Sequence, residues 1–107
     1  MKKALFPGSF DPITLGHIDI VTQGLLLFDE IIIAVGENSS KNNLFTMDQR
    51  LAFITEVFEN NPKISVISYK GMTVDLCQKI DVNFILRGLR NSVDFEFEKS
   101  IAQVNRD

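Results

Sequence analysis

The chain of 107 residues has no tryptophan, one histidine, one cysteine and one tyrosine. Each scarcity closes off a class of chemistry. A lone Cys77 forms no internal disulfide and fits a reducing compartment. One histidine and one cysteine fall short of the three or four N/S ligands that hold zinc. A Ser–His–Asp triad could rest only on His17, and no Gly-x-Ser-x-Gly elbow accompanies it. Positive charge is not in excess either: the formal net charge is −3, which gives nonspecific nucleic-acid binding no electrostatic support. No apolar run is long enough to span a membrane, and Leu5-Phe6 passes straight into Pro7-Gly8 rather than into a signal-peptide core. A cytoplasmic, single-domain protein over residues 1–107 is the expectation, with room for a modest core. Nine phenylalanines without tryptophan read as packing rather than as base-stacking platforms.

What is present is concentrated in Phe6-Pro7-Gly8-Ser9-Phe10-Asp11-Pro12-Ile13-Thr14-Leu15-Gly16-His17. A short apolar run ends in Pro-Gly, and a helical periodicity begins just after. Gly8 carries no Cβ to keep a ligand from the backbone. Asp11-Pro12 is a turn pair, and Thr14 is placed to cap the next helix. Gly16 and His17 then fall in or beside its first turn. The unpaired N–H groups and positive dipole end of a helix favour an anion, most often phosphate.

The rest of the chain alternates. Helix 1 carries Ile18, Val21, Leu25 and Phe28 on one face and ends at Asp29-Glu30. Ile31 to Val35 is a continuous β-branched run, as in a strand buried on both faces. A polar loop from Gly36 to Asn43 contains Lys41. Thr46 and Gln49 fit a capping box for helix 2, whose inner face is Leu51, Ile54, Thr55 and Phe58. Ile64 to Tyr69 alternates like a strand nearer an edge. Thr73 to Lys79 is a short third helix, with Val74, Cys77 and Ile80 inward. Phe84-Ile85-Leu86 is a fourth strand, and a fourth helix is expected from about Ser92 to Asn105. There Val93, Phe97, Ile101 and Val104 make one apolar stripe.

This order predicts an α/β fold, a doubly wound parallel sheet with right-handed crossovers. Ligands then collect beyond the carboxyl ends of the strands. Ser9, Thr14, His17, Lys41, Arg87 and Arg90 all come to that edge. Two hydroxyls, one imidazole and three cations suit a polyphosphate, because arginine offers a bidentate fork and lysine a mobile point charge. No nucleophile stands beside a base, so transfer by positioning and charge stabilisation is the fitting chemistry. Each residue also has a plainer reading. Arg87 can pair with Asp94, Glu96 or Glu98; Lys41 can be a solvated lysine; His17 can serve a carboxylate; Cys77 can be core.

The string P-G-S-F-D-P-I-T-x-G-H-I-D resembles the signature of the nucleotidyltransferase superfamily with a (His/Thr)-x-Gly-His motif. With F-D-E-I-I-I-A-V, I-L-R-G-L-R-N-S-V-D-F-E-F-E and A-Q-V-N-R, the likeness extends along essentially the whole chain to the phosphopantetheine adenylyltransferase family. The resemblance implies a Rossmann-like fold that transfers the adenylyl group of ATP to 4′-phosphopantetheine with Mg²⁺. Position by position, it implies that Ser9, in place of the commoner Thr, and Phe10 meet substrate and ATP. His17 stabilises the transition state. Lys41, Thr73 and Arg87 contact phosphopantetheine, and Gly88, Leu89, Arg90 and Glu98 contact ATP. Thr14, rather than a second His, argues against the cytidylyltransferase branch.

The family continues past Asn105-Arg106 with an Ile-Ser-Ser-Ser-type stretch that holds the nucleotide, so residues 1–107 are expected to be a domain incomplete at its C-terminus. Two further readings stay open: a non-catalytic nucleotide- or phosphate-binding fragment, and a related nucleotidyltransferase with another acceptor. Strand 4 is expected at the sheet centre with its far edge bare. Together with an apolar helix 4, that implies a homo-oligomer, hexameric by resemblance.

Overall fold

A computed structural model describes residues 2–37, 43–89 and 92–97. The elements are β1 (Lys3–Gly8), α1 (Leu15–Gly24), β2 (Glu30–Gly36), α2 (Met47–Val57), β3 (Ile64–Tyr69), α3 (Thr73–Ile80), β4 (Phe84–Leu89) and β5 (Ser92–Phe97). They build one sheet in the order β3-β2-β1-β4-β5. The first four strands are parallel, β1 pairing with β2 from Lys3↔Glu30 to Gly8↔Val35 and with β4 through Ala4↔Phe84 and Leu5↔Ile85. β3 is an edge strand, and none of its residues is fully buried.

Both faces of β2 are covered, which is why Ile31 to Val35 carries no polar residue. Ile31, Ile33 and Val35 join Ala4, Phe6, Val21, Phe28, Ile54 and Leu86 on the side of α1 and α2. Ile32 and Ala34 join Leu5, Cys77, Val82 and Ile85 on the side of α3. The helices thus lie on both faces of a mostly parallel sheet, the doubly wound arrangement. Cys77 is core, as its helical position implied.

The fourth helix is corrected over Ser92–Phe97. Those residues form β5, antiparallel to β4 from Phe84↔Phe97 to Leu89↔Ser92. Val93, Phe95 and Phe97 alternate with Asp94 and Glu96, a period of two that competes with the three-and-four spacing. Pairing in this way also occupies the far edge of β4, so that edge is not bare as expected. Residues 98–105 of the expected helix lie outside the described residues. Helix α1 is also shorter than expected: it ends at Gly24, and a turn carries the chain on to Phe28.

Gly24 shows how tightly α1 meets the sheet. A Cβ there would lie 2.9 Å from both Ile31 Cδ1 and Leu86 Cδ2, and both side chains are fully buried. Gly24→Ala gains helix propensity of about 1 kcal/mol but overpacks the core at a cost of about 1–3 kcal/mol. A net loss of stability is expected, read as a lower midpoint in denaturant unfolding with an unchanged slope.

Candidate active site at the carboxyl edge

Four parallel strands run the same way, so the segments after β1, β2, β3 and β4 share one edge of the sheet. The segment after β1 is the most elaborate. It must leave a central strand, cover the core and enter α1 within six residues. Phe10 makes that possible: it is 2% exposed, with its ring edge-on to Phe6 at 5.2 Å and to His17 at 4.8 Å. A Cβ on Gly8 would sit 3.0–3.2 Å from the Phe10 ring, so glycine there makes room for Phe10 as much as for a ligand. Phe10 itself has positive φ, 44°. Its ring is packed away from solvent, and what it does in this structure is support His17.

Thr14 caps α1 as its position implied, and the box is closed by a histidine. The His17 N–H donates to Thr14 Oγ1 at 3.3 Å, while the Thr14 N–H donates to His17 Nδ1 at 2.9 Å. Thr14 Oγ1 also lies 3.1 Å from Nδ1, close enough to donate its own proton. A glutamate or glutamine fills this third position in the usual box. Here Nδ1 must accept, so the neutral ring carries its proton on Nε2. Among the described residues the ring's partners are Thr14 and two phenylalanines rather than a carboxylate. Burial pushes the imidazole below its ordinary value. Protonation would also take away the lone pair that receives the Thr14 N–H.

On the other side of the turn lies an open cleft of about 260 Å³, lined by Gly8, Ser9, Gly36, Glu37, Tyr69 and Gly71. It spans the ends of β1, β2 and β3. Ser9 is exposed beside it. Thr73, the first residue of α3, reaches it through a 3.3 Å hydrogen bond between its hydroxyl and that of Tyr69. The structure therefore brings Ser9, His17 and Thr73 to one edge, with Arg87 approaching from the opposite side of β1. Arg87 sits within β4 rather than in the loop after it. Its side chain is exposed, and its register partner is Asp94, one of the carboxylates named for the ion-pair reading. Gly88 and Leu89 are the last residues of β4. Lys41, Arg90 and Glu98 lie outside the described residues.

Two residues of this edge do more than their sequence showed, and one of them, Arg50, was not singled out at all. Asp11 is more than half of a turn pair: its carboxylate accepts from the Leu44 N–H at 2.7 Å and the Phe45 N–H at 2.8 Å, tying the turn to the segment before α2. Arg50 donates from Nη1 to the Ser9 carbonyl at 2.9 Å. Arg50 had a signal, since it follows Met47 by three residues and precedes Ile54 by four, which is the inner face of α2. Thr55, expected on that face, is exposed instead.

Among the described residues no group of three or more His, Cys, Asp or Glu could hold a metal ion, and no helix is long and apolar enough to cross a membrane. A profile of the cytidylyltransferase-like family matches residues 5–106. The chain is 59% identical over 106 residues to the phosphopantetheine adenylyltransferase of Flavobacterium psychrophilum, covering 99% of this chain and 70% of that protein. It is 45% identical over 106 residues to the enzyme of that name from Bacteroides thetaiotaomicron, with the same 99% and 70% coverage. Among solved structures, the lipopolysaccharide core biosynthesis protein of Thermoplasma volcanium superposes with a TM-score of 0.68 at 22% identity, over 99% of this chain and 88% of that one. That likeness is one of fold.

Because His17 is the only histidine, its titration can be followed by NMR without assignment. The expected midpoint lies below the ordinary value of about 6.5, as burial dictates. The sign for stability follows: the unfolded chain takes up this proton first as pH falls, so His17 costs the fold stability below its unfolded value and nothing above it. Comparison with His17→Gln should show that extra acid loss in the parent protein alone. A midpoint above 6.5 would overturn the assignment of Nδ1 as an acceptor held by the Thr14 N–H.

Proposed function

The chain belongs to the cytidylyltransferase-like family and, within it, to the phosphopantetheine adenylyltransferases; from that premise we propose how its residues carry the reaction. The activity is transfer of the adenylyl group of ATP to 4′-phosphopantetheine, a step of coenzyme A biosynthesis. An oxygen of the acceptor's phosphate attacks the α-phosphorus, the bond from that phosphorus to the bridging oxygen of the β-phosphate breaks, and pyrophosphate leaves as dephospho-coenzyme A forms. The attacking group comes with the substrate, so the protein needs no nucleophile of its own.

The observation that carries the reading is the hydrogen bond from the Thr14 N–H to His17 Nδ1. It leaves Nε2–H as the ring's remaining donor and holds the ring in one orientation at the start of α1. A neutral donor fixed before substrate arrives can bond a phosphate oxygen whose charge grows during transfer, which lowers the barrier without reorganisation at that moment. The N-terminal end of α1 adds its dipole to the same side. Ser9 contributes a hydroxyl beside the cleft, Phe10 supports the His17 ring, and Thr73 lines the acceptor's approach through Tyr69. In this reading Lys41 and Arg87 bind the acceptor, while Gly88, Leu89, Arg90 and Glu98 bind ATP.

Magnesium belongs to the reading as a companion of the ATP phosphates, whose charge it neutralises. An ion of this kind keeps several waters and is held through the phosphates of its substrate. Assembly into a homo-oligomer, hexameric by family resemblance, and residence in the cytoplasm complete the proposal. Exposed Leu26 and Leu27 after α1 are apolar surface available to an assembly.

Pyrophosphate release from ATP is expected only when 4′-phosphopantetheine is present. Nucleotide binding without release would favour the non-catalytic reading, and release with a different acceptor would reassign the substrate. His17→Ala should lower kcat by about a hundredfold or more while ATP affinity changes by only a few fold; equal losses in both would make His17 a ground-state ligand. Arg87→Lys keeps the charge and loses the fork, so acceptor affinity should fall clearly with ATP affinity nearly unchanged. Unchanged acceptor affinity would leave Arg87 a structural residue of β4.

A further inference from the structure

Arg50 is the one polar or charged side chain buried among the described residues, at 3% exposure. Its Nη1 holds the Ser9 carbonyl at 2.9 Å, and its Nε has no hydrogen-bond partner among the described residues. A guanidinium in this position is costly. Taking a cation out of water without a paired carboxylate costs several kcal/mol, and a well-packed apolar side chain is often the more stable choice. Met47, Leu51 and Ile54 around it on α2 show that this face is otherwise built for the core. The bond Arg50 makes among the described residues is to a backbone oxygen, and that oxygen belongs to the turn bearing Ser9, next to Phe10 and two residues before Asp11. The turn is thus gripped twice from α2's side: Asp11 on the Leu44 and Phe45 N–H groups, Arg50 on Ser9.

We propose that Arg50 is a positioning residue for the transfer: by holding the Ser9 carbonyl inward it fixes the turn over residues 8–10, and through Phe10 the His17 ring, in the geometry that meets the phosphates. The inference rests on the adenylyl-transfer reading for its effect on rate but not for its effect on His17. Ser9 cannot swing its hydroxyl toward the cleft reproducibly unless its own peptide is held, and Phe10 keeps its positive φ only while the turn on either side is pinned. A lysine at position 50 would keep the charge and one donor but lose the fork's rigidity. A methionine would keep the volume and lose both.

The test compares Arg50→Lys and Arg50→Met with the parent protein in kcat, in KM for ATP and for 4′-phosphopantetheine, and in the NMR positions of the His17 ring protons, which the Phe10 ring current sets. Thermal melting establishes that each variant is folded. Arg50→Met should lower kcat by about tenfold or more, with both KM values within about threefold, because misplacement acts on the transition state. Arg50→Lys should fall between it and the parent, and the His17 ring protons should shift in the same order. Overturning results are kcat within twofold of the parent in both variants, losses confined to KM or to melting temperature, or unmoved His17 protons. If Arg50→Met does not fold, Arg50→Lys decides by the same criteria. If the parent itself releases no pyrophosphate with 4′-phosphopantetheine, the functional reading falls, and the His17 protons alone decide the role of Arg50.

Discussion

The carboxyl edge depends on the burial of Phe10. Taking that ring out of water contributes about 1.5–3 kcal/mol, and its edge-on contacts with Phe6 and His17 add about 0.5–1.5 kcal/mol each at best. Against this stands the left-handed backbone of Phe10, φ 44°, at about 1–3 kcal/mol. The strain takes back a large part of that gain, and the chain supplies hydrogen bonds on either side of the turn, at Ser9 and at Asp11. Gly8 is part of the same constraint, since a side chain there would meet the Phe10 ring.

The site is therefore made of groups whose first duty is structural. Thr14 and His17 satisfy the orphan N–H groups that begin any helix, and the same bonds select the tautomer that leaves a donor on Nε2. Ser9 faces the cleft while its carbonyl is held from beneath. Tyr69 and Thr73, joined by a hydrogen bond, tie the end of β3 to the start of α3. The proposed catalysis by positioning would draw on this economy, since it asks nothing covalent of the protein and gains from donors that need move little.

The sheet explains why the site forms where it does. β1 lies inside the sheet, with β2 and β3 to one side and β4 and β5 to the other. The turn after it stands where the strand order reverses, the place at which open α/β sheets collect ligands. The cleft opens toward β2 and β3, and Arg87 to Leu89 approach from β4. β5, running against the other strands, closes the sheet's far side.

Much of this was legible in the residues. The unbroken apolar run of β2, the partly alternating β3, the Thr46 and Gln49 capping box and the Pro-Gly turn before a Thr-capped helix are local patterns, and local physics decides them. The family could be read from the P-G-S-F-D-P-I-T-x-G-H-I-D and R-G-L-R strings, and the parallel order followed from strands alternating with helices. Four things were settled only in three dimensions. Ser92–Phe97 carries both a helical and a strand spacing, and the open edge of β4 decided between them. The burial of Phe10 and the grip of Arg50 on Ser9 join residues 41 apart in sequence or depend on a packed neighbour, which no periodicity encodes. His17 read as a phosphate ligand from its place at a helix start; that its Nδ1 is spent on the Thr14 N–H, leaving only Nε2 to donate, is a matter of one ring's rotation, and packing against Phe10 and Phe6 decided it.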